Sequence, residues 1–438
     1  MMSGILEHNA QLTDAAKSEP AEMPHVANAE PGIIEGALLV MTCWCTVLAS
    51  GVLSPVLPQI AHRFADMPHV ELLVGLVATM PALMVSLSAI PMGWLADRLG
   101  HRNVLFGALF LYGIAGIVPF WLQSILGIIA TRAFVGLGEA GAMITGTALI
   151  GLRFRGARRG RWLAAQIATS NILGIFALQL GGFLGLLDWH TPFLAYAFAL
   201  LLLAASLYYV KSPDQISKPT VNANPSSTPA TNAVKATAIL CAMEVVGIFA
   251  MFTIIIQMAF LFQQRGAMNS ADIGIGLSCG AAGLATGATS SGALARIDWL
   301  WRTMIGFLLA GTGFLGVAFV SGYWTTGATL ALAGLGVGLT VPALLNALVA
   351  VVPHQVLGRA IGFWTAATFV PQFLNPPIFL ILRQFVGTQS RAVGFIGIFM
   401  LAVGLFLVVS GKLVRFHTSA ALAADPKAAR IAERARHR

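Results

Sequence analysis

The sequence predicts an all-α polytopic membrane protein, with twelve transmembrane helices in two pseudo-symmetric six-helix bundles. Three observations predict it. Only 10% of the 438 residues are charged while 57% are hydrophobic, and the mean hydropathy is +0.81. A soluble domain carries about 25% charged residues, so most of this surface must face lipid. About twelve apolar stretches follow one another, most of them close to the roughly 20 residues that cross about 30 Å of hydrocarbon. A run rich in Pro, Ser, Thr and Asn divides them six and six, as a flexible linker would.

Residues 1–35 are polar and rich in Ala, Pro and Glu, and lack the basic start and apolar core of a cleavable signal peptide. They read as a disordered cytoplasmic tail. The first six stretches lie near 36–60, 72–96, 103–121, 124–151, 162–186 and 192–210, which makes residues 36–210 an N-terminal bundle. Residues 211–235 are the linker. The second six lie near 236–262, 272–295, 303–321, 325–352, 360–382 and 392–414, a C-terminal bundle of residues 236–414 followed by a basic tail, 415–438. Each stretch is continuously apolar rather than alternating, which selects helices over barrel strands as the spanning element.

The charges orient the chain. With the N-terminus inside, the cytoplasm receives Arg98, Arg102, Arg153, Arg155, Arg158, Arg159, Arg161, Lys211, Lys218, Lys235, Arg296, Arg302, Arg359, Lys412, Arg415 and the basic tail. The other side receives Arg63, Arg265, Arg383 and Arg391. Basic residues concentrate on the cytoplasmic side of membrane proteins, so both termini and the linker are expected there, in a bacterial inner membrane. The same asymmetry accounts for the net charge of +9 and the pI near 9.8 without a nucleic-acid partner. Cys43, Cys45, Cys241 and Cys279 all lie in apolar stretches, where neither a disulfide framework nor a metal site is expected. Neither G-x-x-x-x-G-K-[ST] nor H-E-x-x-H occurs, so no ATP-driven or zinc-dependent enzyme and no cofactor is expected.

The halves resemble repeats. Gly93, Ala96 and Gly107 recur as Gly292, Ala295 and Gly306, Gly136 and Gly138 as Gly334 and Gly336, and Gly160-Arg161 as Gly358-Arg359, all offset by about 198–199 residues. Paired halves of this kind hold their substrate near the midplane, between them.

The sharpest motif is Gly93-Trp94-Leu95-Ala96-Asp97-Arg98-Leu99-Gly100-His101-Arg102, between the second and third stretches. Gly93 lets another helix approach closely, Asp97 sets a carboxylate at a helix end, and Gly100 permits a tight turn. The segment resembles the signature loop of the major facilitator superfamily, G-x-x-x-D-R-x-G-R-R, with His101 at the first closing basic position and a degenerate second copy in which Arg296 replaces the Asp. The resemblance covers nearly all of 36–414. It implies rocker-type alternating access, with Gly93, Asp97, Arg98, Gly100 and Arg102 in a latch that holds the cytoplasmic ends of the two halves. With Pro55-Val-Leu-Pro58 in the first stretch, the pattern is most similar to the twelve-span drug:proton antiporter branch.

Arg132-Ala-Phe-Val-Gly136-Leu-Gly138-Glu139 resembles the family's R-x-x-x-G-x-G motif, whose Arg is associated with proton coupling. Seven residues place Arg132 and Glu139 on one helix face about 10 Å apart. Neither charge tolerates lipid, so both should face the bundle or a watery cavity. They read either as a proton or substrate site or as a fixed structural ion pair. The counterparts in the second half are Leu330 and Val337. Gly181-Gly182 is what survives of the antiporter motif G-x-x-x-G-P-x-x-G-G, with Ala177 and Leu178 where Gly-Pro would stand.

Glu244 is the acidic residue set deep in a second-half stretch, and it reads as a cavity group or as half of a structural pair. Trp364, Thr368, Gln372 and Asn375 follow helical spacing ahead of Pro376-Pro377 and form a polar face expected to line the cavity, joined by Phe252 and Gln257. Phe249 and Phe252 also fit simple packing. Asp188 and Asp298 fall in loops and are expected to be solvated.

The expected function is proton-coupled secondary transport of small organic molecules, in the efflux direction, by a protein that works as a monomer with protons, substrate and the lipid bilayer as its partners. Proton-linked uptake of a small organic anion, with Arg132 as its counter-ion, is the alternative. A non-transporting membrane sensor is the third.

Overall fold

The computed structural model describes residues 32–210, 231–352 and 356–423. The expected tail up to residue 31, residues 211–230 of the linker and residues 424–438 lie outside the described residues. Among those described, every regular element is helical. The first bundle comprises α1 (Ile33–Arg63), α2 (Val70–Leu99), α3 (His101–Trp121), α4 (Ile125–Arg153), α5 (Gly156–Leu184) and α6 (Thr191–Tyr209). The second comprises α7 (231–264), α8 (Ser270–Ala293), α9 (Trp299–Phe319), α10 (Tyr323–Val351), α11 (Leu357–Val386) and α12 (Gln389–Ala423).

Eleven of the twelve are long and apolar enough to cross a membrane. The exception, α8, is long enough at 24 residues, but glycine and serine dilute it, and it packs between α5 and α10. Small residues serve that position because they let backbones approach. A Cβ on Gly283 of α8 or Gly334 of α10 would overlap a carbonyl oxygen of the facing helix.

Several helices overrun the apolar stretches. α2 continues to Leu99 and α12 to Ala423, because apolarity marks only the part in hydrocarbon while the backbone ladder continues into water. Ends are set locally: Ser124 accepts the Gly127 amide to start α4, and Asn269 accepts the Asp272 amide to start α8. Asp298, expected as a solvated loop residue, caps α9 by accepting the Leu300 amide. Gly100, at φ +88°, turns the chain from α2 into α3, a conformation open to glycine.

Two helices are interrupted. In α1 the regular ladder breaks at Thr42–Cys43, where tighter bonds run from Cys43 N to Val40 O and from Cys45 N to Thr42 O. In α7 residues Thr253–Gln257 form a π-helical turn.

The bundles meet chiefly where α5 crosses α8 and α2 crosses α11. Both crossings are tightest at the end opposite the signature loop. There Ser270 donates to Gly182 O at 2.8 Å, Ser54 donates to Ile255 O, and Glu71 pairs with Arg383 at 2.5 Å. A Cβ on Gly75 would overlap Pro376. At the signature-loop end Gly93, Gly160, Gly292 and Gly362 face open space, and Trp94, Ile167 and Phe363 are exposed. The molecule is closed at one end and splayed at the other.

Candidate functional site

α4 carries both charges of the second motif through the first bundle, and both are buried: Arg132 is 0% and Glu139 2% exposed. They are not bonded to each other. Arg132 Nε donates to Val77 O of α2 at 3.0 Å, Nη2 donates to Ala49 O of α1, and the guanidinium lies 4.9 Å over the Tyr196 ring of α6. The Tyr196 hydroxyl donates to the same Ala49 carbonyl at 2.9 Å. One arginine thus ties four helices together through two carbonyls and an aromatic face. Its Nη1 has no partner.

Glu139 sits about two turns along α4 from Arg132, beside Thr46 and the break in α1. Its Oε2 and the Thr46 hydroxyl are both buried without a hydrogen bond. Gln166 and Ser170, one turn apart on α5, extend the cluster: Thr147 donates to Gln166 Oε1 at 3.4 Å, while Gln166 Nε2 and Ser170 Oγ are unpartnered. Buried polar groups are normally satisfied, so a gathering of orphans marks a place built for something further.

Thr46 and Ser170 also stand on the wall of a cavity of about 220 Å³ between the bundles. Its first-bundle side mixes Thr46, Ser50, Ser170 and Asn171 with Val47 and Leu178. Met251, Phe252, Ile254, Ile255, Leu277 and Leu284 form its second-bundle side. The Ser54–Ile255 and Gly182–Ser270 contacts close it at the tight end.

In the second bundle Glu244 is 1% exposed, with Thr368 Oγ1 3.5 Å from Oε1 and Oε2 unpartnered. By helical rise, Glu139 and Glu244 both lie roughly 20 Å along their helices from the signature-loop end.

Of the expected cavity face, Phe252 stands on the wall. Trp364, Thr368, Gln372 and Asn375 do not, because the polar face of α11 turns toward α7. Asn375, 0% exposed, donates to Phe249 O at 3.0 Å and to Thr253 Oγ1 at 2.9 Å, and accepts from Gln257 at 3.1 Å. Gln389 donates to Gln257 O at 2.8 Å. The π-turn disturbs the backbone ladder of α7, and Asn375 and Gln389 bond carbonyls beside and within it.

The signature residues all remain with the first bundle. Arg98 stacks 3.8 Å over Trp94, and Arg102 donates to Val210 O at 2.7 Å and Leu207 O at 3.3 Å. Asp97 is exposed. With this end splayed, no bond joins them to the second bundle among the described residues. The polar face Gln166–Thr169–Ser170–Asn171 of α5 and the pair Glu71–Arg383 escaped the sequence reading. The first is visible as four polar residues in an apolar stretch, whereas the second joins positions 312 apart in sequence.

Residues 39–376 match the Major Facilitator Superfamily. The chain belongs to that superfamily. The "Bacillibactin exporter" of Bacillus subtilis (strain 168) is 23% identical over 391 residues, covering 85% of this chain and 93% of that protein. The "Tetracycline resistance protein, class C" of Escherichia coli is 29% identical over 168 residues, 37% of this chain and 41% of its own length. Among solved structures, a bacterial homologue of the human lysosomal transporter Spinster, inward-facing and unoccupied, superposes with a TM-score of 0.68 at 14% identity over 89% of this chain and 97% of that one. As a major facilitator protein, this chain is a secondary transporter that works by alternating access, and its closed and splayed ends are what that cycle exchanges.

Proposed function

We propose that this transporter exports a small organic molecule in exchange for protons, with Glu139 as the group that binds and releases the proton. The observation that carries this reading is the position of Glu139: buried in the first bundle with no cation bonded to it, and beside Thr46, which lines the inter-bundle cavity. A carboxyl group whose surroundings alternate between dry and wet binds and releases a proton as they change. The exporters among its relatives support the outward direction. So does the cavity wall, which carries no charged side chain to hold an organic anion.

The basic residues support a cytoplasmic signature-loop end, so the splayed end is the one that loads substrate from inside. A periplasm-active reporter fused after Pro225 is expected to stay silent, whereas activity would invert this orientation. The function itself is tested in vesicles of purified protein, where an imposed proton gradient should drive a test amphiphile uphill. Accumulation that ignores the gradient would sink proton exchange.

A further inference from the structure

α1 and α7 correspond in the internal repeat, and both leave the α-helical ladder at the same place. At the repeat offset of about 199 residues, Ser54–Val56 of α1 falls on Thr253–Ile255 of α7. α1 is overwound there into a 3₁₀ turn, with the Leu57 amide bonded to Ser54 O, because Pro55 and Pro58 supply no N–H to the ladder. α7 is underwound into the π-turn, with the Met258 amide bonded to Thr253 O. The two irregular turns bond each other, since the fully buried Ser54 hydroxyl donates to Ile255 O. The same five residues of α7 also face both compartments. Ile254 and Ile255 stand on the wall of the inter-bundle cavity, while Gln257 lines a cavity of about 40 Å³ beside Glu71 and Arg383 at the closed end.

We propose that Ser54 is a positioning residue of the alternating-access cycle, acting through the π-turn: by bonding Ile255 O it ties the shape of the cavity wall to closure of the tight end. A π-turn disturbs the backbone ladder, and the carbonyls it loosens need donors from outside. Most of those donors belong to the second bundle. Asn375 donates to Thr253 Oγ1 at 2.9 Å and accepts from Gln257 at 3.1 Å, and Gln389 donates to Gln257 O at 2.8 Å. They travel with α7 when the bundles rock. Ser54 belongs to the first bundle, so its bond is the one that opening of the tight end removes. Ile255 O then seeks a donor within its own helix, and Ile254 and Ile255 shift with the backbone that carries them. Because the linkage is reciprocal, whatever reshapes the Ile254–Ile255 wall also biases the closed end.

The test uses the full chain purified in detergent, with neither substrate nor gradient present. Ketone-directed spin labels at Asp66 and Met268, exposed on the loops that follow α1 and α7, report opening of the tight end and spare the native cysteines. Hydrogen exchange at the amides of residues 254–260 reports the π-turn. Ser54→Ala should enlarge the long-distance fraction about two- to tenfold, the shift one net hydrogen bond produces, and should speed exchange at those amides. Deleting Ile256 removes the extra residue of the turn and should also enlarge the long-distance fraction. Adding Ser54→Ala to the deletion should then change nothing more, because Ser54 no longer has a π-turn to hold. An unaltered distance distribution in Ser54→Ala would overturn the proposal, as would a shifted distribution with wild-type exchange at residues 254–260. So would additive effects in the combined variant. A merely structural Ser54 would lower the melting temperature and leave both readouts at wild-type values. If the deletion does not fold, the two readouts on Ser54→Ala still decide.

Discussion

Arg132 shows how far residue type and spacing lead. A charge in an apolar stretch predicts that it faces inward, and the structure buries it completely. The spacing of seven leaves open whether Glu139 is its fixed partner. The side chains instead go separate ways, because carbonyls of α1 and α2 satisfy the arginine across helices whose adjacency no local pattern reveals. Lysine at this position would keep the charge but lose the planar fork that reaches two carbonyls at once and lies on an aromatic face. Arg132→Lys is therefore expected to destabilise the first bundle by about 2–3 kcal/mol, the scale of hydrogen bonds to a charged donor, read as a lower melting temperature in detergent. An unchanged melting temperature would show that the carbonyl bonds contribute little.

At the scale of the element, the interruptions matter more than the regular helices. Pro376-Pro377 in α11 was legible in the sequence, and so was the polar stripe that precedes it. Its purpose was not. The stripe turns to α7 because the π-turn at Thr253–Gln257 offers polar groups there, and no proline or glycine within Thr253–Gln257 announces that turn. The break in α1 at Thr42–Cys43 is equally silent, since its residues would suit a helix interior. Asn375 makes three bonds within this joint. Replacing it with alanine removes all three and leaves Gln257 Nε2 without its acceptor, while Thr253 Oγ1 keeps its bond to Phe249 O, and Asn375→Ala should cost about 1.5–4 kcal/mol at a typical 0.5–1.5 per bond. Faster amide exchange confined to α7 and α11 would locate the loss. A loss spread evenly over both bundles would contradict a local clamp.

For the whole molecule, the twelve helices and their division six and six were readable from apolar runs and one polar linker, because lipid dictates both length and composition. The end at which the bundles touch was not readable, because it depends on contacts between residues far apart in the chain. Glu71–Arg383 is the ion pair that joins α2 to α11 at the closed end, and its side chains are 46% and 33% exposed. A pair this exposed is worth roughly 0–1 kcal/mol, so Glu71→Gln should shift the population toward the form open at that end by no more than about fivefold. Distances between spin labels on the loops flanking α2 and α11 would lengthen in a larger fraction of molecules. An unaltered distribution would leave closure to the glycine and serine contacts of α5 and α8.

Alternating access couples to protons in this account through one carboxyl group, and Glu139→Gln tests that directly. Glutamine keeps the shape and much of the hydrogen bonding of the side chain but cannot release a proton. In vesicles, the variant should still exchange substrate down its own gradient, with the melting temperature of the same preparation showing that it is folded. It should no longer move substrate uphill when a proton gradient is imposed. A stable Glu139→Gln protein that still drives uphill transport from the proton gradient would contradict the account and pass the role to Glu244.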